Sequence, residues 1–387
     1  MDLDLDHETL RFRDTARAWL RANVPTTPLR SLDTAEGFEQ HRSWERTLGE
    51  ARWSAVSWPY EYGGRDATLL QWVVFEEEYY RAGAPARVSQ NGVFLLAPTM
   101  FEHGTDEQRR RFLPRMATGQ DIWAQAWSEP GAGSDLAAIR SGATRVEGGW
   151  VLSGQKTWSS RAAFADWGFG LFRSDSSAER HRGLTYFLFP LDADGVTVRP
   201  IAQLDGETGF AEIFLDEVFV PDSDVLGEVG AGWQVAMSTA GSERGLALRS
   251  PGRFCAAADR LVHLWRGVPE SHDAHAQRVA DAWIGAQAYR LHTFGTVTRL
   301  TEGGSVGAEA SLGKLFWSEL DVALHETALD LLGGDAELAS GSSEAVDDGR
   351  WLDGYLFSLA GPIYAGTNEI QRDVVAERVL GLPRGSR

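Results

Sequence analysis

Three short segments combine glycine with hydroxyl, amide or aromatic side chains, the residue types that can hold a ligand. The first segment spans residues 126–135, with the sequence AWSEPGAGSD. Its glycines let backbone N–H groups approach a ligand closely, and the hydroxyls of Ser128 and Ser134 can donate hydrogen bonds to an oxygen or a ring nitrogen. Pro-Gly and Gly-Ser pairs are also typical of an ordinary turn. This segment therefore indicates either a binding loop or a turn.

The second and third segments present the same choice. Residues 154–160, GQKTWSS, place Trp158 beside two serines, which could shield one face of a flat cofactor and hydrogen-bond to its edge. Residues 363–372, IYAGTNEIQR, combine Gly366, which permits close backbone approach, with Thr367 and Asn368, which suit the start of a helix. The alternatives are a core tryptophan with solvated serines in the second segment and a simple helix N-cap in the third.

Composition excludes several classes of protein. The chain has 387 residues, 43% of them apolar and 24% charged, as is usual for a globular enzyme of two or three sub-domains. Its net charge of −18 argues against binding nucleic acid, which needs a basic surface. Cys255 is the only cysteine, so an internal disulfide and a Cys-rich metal site are excluded, and no metal is expected. The acidic N-terminal sequence and the lack of a long apolar run predict a cytoplasmic protein without a membrane span.

Periodicity predicts a helical region, then a β-rich region, then a second helical region. A helix is expected over residues 69–81, and a hairpin over 144–152 with glycines 148 and 149 at its turn. Further strands are expected over 183–190, 196–201 and 211–220. Apolar residues at spacings of three and four from Leu312 to Leu331 predict a packing stripe on a helix that ends at Gly333.

The three segments, in this order and at this spacing, resemble the acyl-CoA dehydrogenase family. The resemblance covers nearly the whole chain and includes WPYEYGG at 58–64, the stretch at 104–114, and FVP at 219–221 followed by Gly227 and Gly230. It implies an α+β, mainly α fold with an N-terminal helical domain (1–120), a middle β-barrel-like domain (121–228) and a C-terminal four-helix bundle (229–387). It also implies FAD, bound between the β domain and the bundle, with an acyl-CoA thioester against one flavin face.

The resemblance assigns ligand contacts to residues of all three segments. Ser128 is expected near the pyrimidine side of the flavin ring, and Ser160 near its reactive nitrogen. The residues expected to line FAD are Gln125, Ala126, Trp127, Ser128, Gly133, Ser134, Trp158, Ser159, Ser160, Thr367, Asn368 and Glu369. The residues expected near the substrate are Ser134, Arg244, Ala365 and Gly366.

The expected reaction needs a carboxylate that removes the α-proton while the β-hydrogen leaves as hydride to the flavin. Many family members carry this base as glutamate in Tyr-Glu-Gly-Thr, but here that position is Ala365. A subset carries it on the first long helix of the C-terminal domain, just before an arginine, and Glu243-Arg244 matches that place. Glu243 is therefore the predicted base, although such a pair can also be an ordinary surface ion pair. The backbone N–H of Ala365 is still expected to polarise the thioester carbonyl.

Two features common in the family are missing from this sequence. Residues 260–268 predict a helix running into a Gly/Pro turn where Arg-x-x-Phe-Gly is expected, and Asp330 replaces an expected glutamine. Both positions ordinarily help to hold FAD across a subunit boundary, so a homodimer, a homotetramer and a heterotetramer with a second acyl-CoA dehydrogenase-like chain all stay open. An electron-transfer flavoprotein is the expected electron acceptor. The alternatives are an acyl-CoA oxidase, which uses O₂, and a non-catalytic partner subunit, which Ala365 suggests.

Overall fold

The structure is a computed structural model that describes residues 4–244, 250–268 and 272–384. For residues 242–244, 272 and 273 it describes the backbone alone. Within this part of the chain there are eleven α-helices and eight β-strands. Their order is helical, then β, then helical, as the sequence predicts.

Five helices precede the sheet, and side-chain caps fix where several of them begin. The side chain of Asp6 accepts a hydrogen bond from the backbone N–H of Thr9 at 2.7 Å. Thr68 and Gln71 form a reciprocal capping box at the start of the third helix, which has the predicted bounds. The five helices are α1 (His7–Asn23), α2 (Ala35–Glu50), α3 (Leu69–Arg81), α4 (Ala97–His103) and α5 (Asp106–Ala117).

The strands form one sheet. They are β1 (Trp123–Ala126), β2 (Gly142–Val146), β3 (Gly149–Ser160), β4 (Trp167–Arg173), β5 (Leu184–Pro190), β6 (Val196–Ile201), β7 (Phe210–Pro221) and β8 (Val225–Leu226). The hydrogen-bonded order is β6-β7-β3-β2-β4-β5-β8, an open path, and β1 pairs in parallel with β4. The predicted hairpin is confirmed as β2–β3, with Gly148 at φ 76° in its turn. Leu152, Phe172, Phe187 and Ile213 lie in the apolar core of the sheet.

The later helices are α6 (Gly232–Arg244), α7 (Pro251–Gly267), α8 (His272–Thr301), α9 (Ala310–Leu332), α10 (Arg350–Ser358) and α11 (Asn368–Val374). Helices α7 to α10 share an apolar core that includes Phe254, Leu261, Ala286 and Trp317. Helix α9 ends at Gly333, whose φ of 56° suits a residue without a side chain. The helix predicted over 260–268 is the second half of α7.

The apolar stripe predicted on α9 is wrong in part. Leu324 and Leu331 are buried, but Leu312 and Phe316 are each 42% exposed. The buried face of the helix instead carries Lys314 and other polar residues, among them Ser318 and Asp321. Periodicity of apolar residues misses such a face, because buried polar groups become tolerable once neighbouring elements supply hydrogen-bond partners.

The chain divides into two compact units. One unit contains Met1–Val24, Thr68–Ala84 and Arg244–Arg387, and the other contains Pro25–Ala67 and Pro85–Glu243. The first unit holds the bundle core, and the second holds the sheet core. The domain limits at 120/121 and 228/229 stay a prediction. Among the described residues, no helix combines the length and the apolarity needed to cross a bilayer.

Candidate active site

The first and second of the segments predicted to bind a ligand meet in the sheet unit. The backbone N–H of Thr157, on β3, donates to the carbonyl of Ser128, which follows β1, at 2.9 Å. One residue earlier on β3, the Lys156 ammonium donates to the Glu129 carboxylate at 2.8 Å. Residues that are separate in sequence are thus joined beside the central strand β3.

The ion pair of Lys156 and Glu129 is buried, and both side chains form further hydrogen bonds. Lys156 also donates to the carbonyl of Leu171 at 2.8 Å, and Glu129 accepts the backbone N–H groups of Arg140 at 2.6 Å and Ser141 at 2.9 Å. Burial lowers the pKa of Lys156 to about 8, against the opposing effect of the Glu129 charge. Burial acts to raise the pKa of Glu129, but the Lys156 ammonium and the accepted hydrogen bonds hold that pKa below its usual value. The pair fixes the first segment to β3.

The first segment is also a turn. Glu129 and Ala132 exchange two backbone hydrogen bonds, of 2.9 and 3.0 Å, around Pro130 and Gly131. The Cα atoms of Gly131 and Gly133 border open space, because a Cβ placed on either would meet no other atom within 4 Å. The turn is therefore confirmed, and because its glycine backbone is accessible, the binding loop stays a prediction.

Two buried polar atoms in these segments have no partner among the described residues. They are the hydroxyl oxygen of Ser159 and the indole nitrogen of Trp127. A buried polar group without a hydrogen bond is costly, so such atoms indicate a missing partner. Between them in the sequence lies Trp158, which is 60% exposed and has a left-handed φ of 59°. An exposed aromatic face and unpaired polar atoms in the same two segments fit a flat, polar-edged ring such as a flavin.

The other predicted residues of the sheet unit differ in exposure. Gln125 is half-buried on β1, and Ala126 is buried in the sheet core. Ser134 and Gly133 are exposed, whereas Ser160 is half-buried at the end of β3. A ligand could therefore reach Ser134 and Gly133, while Ala126 offers only its backbone.

The third segment, in the bundle unit, has an unusual backbone. Ala365 and Gly366 are both left-handed, with φ of 56° and 79°. The side-chain amide of Gln371 donates to the backbone carbonyls of both residues at 3.2 Å. Its Oε1 atom accepts a hydrogen bond from the Ser311 hydroxyl at 2.7 Å. The N–H of Ala365 has no hydrogen-bond partner within the described part of the chain. The segment is therefore held by its carbonyls, and the N–H of Ala365 is left available.

The helix that follows is capped and anchored by polar contacts. The side chain of Thr367 accepts the backbone N–H of Ile370 at 3.3 Å, which confirms the predicted N-cap. Asn368 is buried and accepts from Lys314 at 2.6 Å and from Ser318 at 3.1 Å. Glu369 is exposed, and local hydrogen bonds from its own backbone and from Thr367 lower its pKa. Sequence reasoning missed Lys314, Ser318 and Ser311, because their partners lie 54, 50 and 60 residues away. It also missed Gln371, because two of its partners are backbone carbonyls, which no residue type reveals.

The predicted base occupies the end of α6. Glu243 and Arg244 are the last two residues of that helix, and their side chains lie outside what the structure describes. Their roles in catalysis and substrate binding stay predictions.

Three family models match the chain. Residues 6–120, 124–218 and 230–380 match the N-terminal, middle and C-terminal domains of acyl-CoA dehydrogenase. The chain belongs to the acyl-CoA dehydrogenase family. The predicted fold, with helical, β and helical domains in that order, is confirmed. Membership makes the protein an oxidoreductase that acts on an acyl-CoA, and it implies a flavin cofactor.

Individual relatives cover nearly the whole chain. Acyl-CoA dehydrogenase IpdE1 of Mycolicibacterium smegmatis is 39% identical over 97% of this chain and 98% of its own. Among solved structures, the Tcur3481-Tcur3483 steroid ACAD is similar with a TM-score of 0.86 and 28% identity, and covers 100% of both chains. The ChsE4-ChsE5 complex from Mycobacterium tuberculosis has a TM-score of 0.82 and 29% identity, also over 100% of both chains.

Proposed function

We propose that this protein uses FAD to oxidise an acyl-CoA to the 2-enoyl-CoA, with Glu243 as the base. The observation that carries the proposal is the exposed Trp158 together with two buried polar atoms that have no partner among the described residues, the Ser159 hydroxyl and the Trp127 indole nitrogen. They lie in the two segments that match the family's flavin-binding sequences. Bound FAD would supply the acceptor for the hydride that leaves the β-carbon.

The sheet unit would hold the flavin ring. Ser128 and Ser160 would hydrogen-bond to its edge, the Ser159 hydroxyl would gain the partner that it lacks, and Trp158 would cover one face. The ion pair of Lys156 and Glu129 supports this arrangement, because it joins the two segments without using any of those hydroxyls. In the bundle unit, Thr367, Asn368 and Glu369 would contribute further contacts to FAD.

The N–H of Ala365 would polarise the thioester. It would donate a hydrogen bond to the thioester carbonyl, which makes the α-proton more acidic, and Ser134 and Gly366 would lie beside the same group. One such donor contributes about 2.7–4 kcal/mol in comparable sites. Gln371 supports this role indirectly, since its bonds to the carbonyls of Ala365 and Gly366 hold the two peptides that follow this N–H.

Glu243 would take the α-proton onto its carboxylate as the β-hydrogen leaves, so that a Cα=Cβ double bond forms. The side chain of Ala365 has no proton acceptor, which supports a base supplied by another residue. Arg244, the next residue, would contribute to substrate binding.

The relatives point to a bulky acyl group and a second chain. One similar structure is described as a steroid ACAD, and another as a complex of two named chains. We infer a steroid-derived acyl-CoA as substrate, an assembly with a second acyl-CoA dehydrogenase-like chain, and an electron-transfer flavoprotein as acceptor. The ion pair between Asp330 and Arg278, inside the bundle unit, supports an altered assembly, because it engages the position where the family usually has a glutamine.

The Glu243→Gln variant tests the proposed base. It should keep its bound flavin, because an amide of the same shape replaces the carboxylate, but lose roughly 10²–10⁴-fold in turnover. Turnover is measured as anaerobic bleaching of the flavin band with straight-chain and steroid-derived acyl-CoAs. In the wild type, the steroid-derived acyl-CoA should bleach the flavin band faster than the straight-chain acyl-CoA.

Glu326→Gln is the matched control, because Glu326 is an exposed glutamate on α9. It should behave like the wild type. Near-full turnover of Glu243→Gln would exclude Glu243 as the base. A wild-type protein that binds no FAD, either alone or with a partner chain, would refute the flavin assignment.

A further inference from the structure

Helix α6 is anchored by a chain of three buried hydroxyl groups. The hydroxyl of Thr239 lies 2.8 Å from that of Thr99 on α4 and 3.2 Å from that of Tyr186 on β5. All three residues have no measurable exposure. These contacts all lie within the sheet unit, between elements that are distant in sequence.

Counting hydrogens gives this chain a direction. The Thr99 hydroxyl donates to the carbonyl of Leu95 at 2.9 Å, and a hydroxyl has only one hydrogen to give. Thr99 therefore accepts from Thr239, whose other acceptor, the carbonyl of Val235, is farther away at 3.2 Å. Thr239 in turn accepts from Tyr186. The sequence of donors runs from Tyr186 through Thr239 and Thr99 to a backbone carbonyl, and each hydroxyl is satisfied.

The same hydroxyl chain connects to a flavin-binding segment. The Tyr186 ring contacts that of Trp127 edge to face, with their centroids 6.3 Å apart. Beside Thr239, the Ser238 hydroxyl donates to the carboxylate of Glu102 on α4. Two successive residues of α6 thus form hydrogen bonds with α4. One of them, Thr239, also forms a hydrogen bond with Tyr186 on β5, whose ring contacts Trp127.

Position 239 precedes position 243 by four residues, which places both on the same face of an α-helix, one turn apart. We propose that Thr239 is a positioning residue, which holds the rotation and depth of α6 so that position 243 delivers its carboxylate to the substrate. The inference rests on the proposed function, since it assumes Glu243 as the base. A displacement of about 1 Å in such a group can cost roughly 10²-fold in rate.

The test compares Thr239→Val with Thr239→Ser. Valine has a similar shape but no hydroxyl, so it breaks both bonds, whereas serine keeps them. Thr239→Val should retain its flavin and its KM but lose roughly 10–10²-fold in kcat, and exchange of the substrate α-proton into D₂O should slow by the same factor. Thr239→Ser should recover most of both rates.

Thr293→Val is the matched control, because Thr293 is a buried helical threonine whose described hydrogen bond goes to the carbonyl of Tyr289 in its own helix. It should leave kcat unchanged. A second variant, Tyr186→Phe, should lose less than Thr239→Val, and the double variant should be no worse than Thr239→Val alone, since the two act through one chain.

Unchanged kcat in Thr239→Val would overturn the inference, and so would a loss that serine does not rescue or that follows the loss of flavin. Glu243→Gln, assayed in parallel, separates this failure from failure of the proposed function. If Glu243→Gln is inactive while Thr239→Val is normal, only the positioning role is wrong. If Glu243→Gln is active, the base assignment is wrong, and the positioning role with it.

Discussion

Replacement of Trp158 by glycine should leave the flavin-free protein almost as stable while weakening FAD binding strongly. Trp158 is 60% exposed, and its described ring contact is edge to face with Phe210 at 5.9 Å. Its φ of 59° is a conformation that side chains disfavour. A tryptophan kept in such a position is expected to serve a ligand rather than the core.

The two effects can be estimated from the exposed fraction. A fully buried aromatic side chain covers about 150–250 Å², so the packing that glycine removes from the flavin-free protein is worth about 1.5–2.5 kcal/mol. Glycine regains about 1–2 kcal/mol by relieving the left-handed backbone. The free energy of unfolding should therefore fall by only about 1 kcal/mol. If the flavin covers the exposed part of the Trp158 side chain, replacing Trp158 by glycine removes about 2–4 kcal/mol from the binding free energy of FAD. This loss raises the Kd for FAD by roughly 30- to 800-fold.

The assay uses protein from which the flavin has been removed. Urea denaturation gives the stability, and quenching of flavin fluorescence during titration with FAD gives the Kd. Trp158→Phe keeps an aromatic face and should bind FAD nearly as well as the wild type. Trp283→Ala, on α8, removes another partly exposed tryptophan and should leave the Kd unchanged.

The opposite pattern would refute this reasoning. If Trp158→Gly lost more than about 3 kcal/mol of stability, as large-to-small changes in a core do, and still bound FAD normally, Trp158 would be an ordinary packing residue. The second segment would then give no support to a flavin site.

Two further predictions concern the polar contacts around the segments. Because the pKa of Glu129 is lowered in the fold, its stabilising effect is present above the pKa of glutamate in the unfolded chain, about 4.3, and is lost as the pH falls through the folded value. Glu129→Gln should therefore lower the free energy of unfolding at pH 7. Urea denaturation at a series of pH values should show that this difference from the wild type shrinks below about pH 4. Gln371→Leu removes three hydrogen bonds and should lower the free energy of unfolding by about 1.5–4.5 kcal/mol, measured by urea denaturation. It should also reduce kcat, measured by steady-state turnover. Full activity would contradict a role in catalysis for the backbone of residues 365 and 366.

The sequence predicted the elements whose signals are local. The bounds of α3 follow from the capping box at Thr68, and the β2–β3 hairpin follows from the glycine pair at its turn. The end of α9 follows from Gly333. In each case the residues that determine the structure lie within a few positions of one another, so a single stretch of sequence contains the whole signal.

The contacts that hold the candidate site were not predictable in this way. Lys156 and Glu129 are 27 residues apart, and Lys314 and Asn368 are 54 apart. Each pairing depends on how separate elements pack, and periodicity carries no information about it. The exposure of Trp158 was equally hidden, since a tryptophan at a strand end is more often buried in a core.

Under the proposed mechanism, position 365 contributes its backbone N–H and not a side-chain base. The left-handed conformation costs any L-residue about 1–2 kcal/mol, and glycine would avoid this cost. Ala365 adopts the left-handed conformation nonetheless, and Gln371 donates hydrogen bonds to the carbonyls of residues 365 and 366. The two peptides that follow the Ala365 N–H are therefore held by contacts in which the Ala365 side chain takes no part. A change of side chain at position 365 would therefore leave the contacts of Gln371 in place.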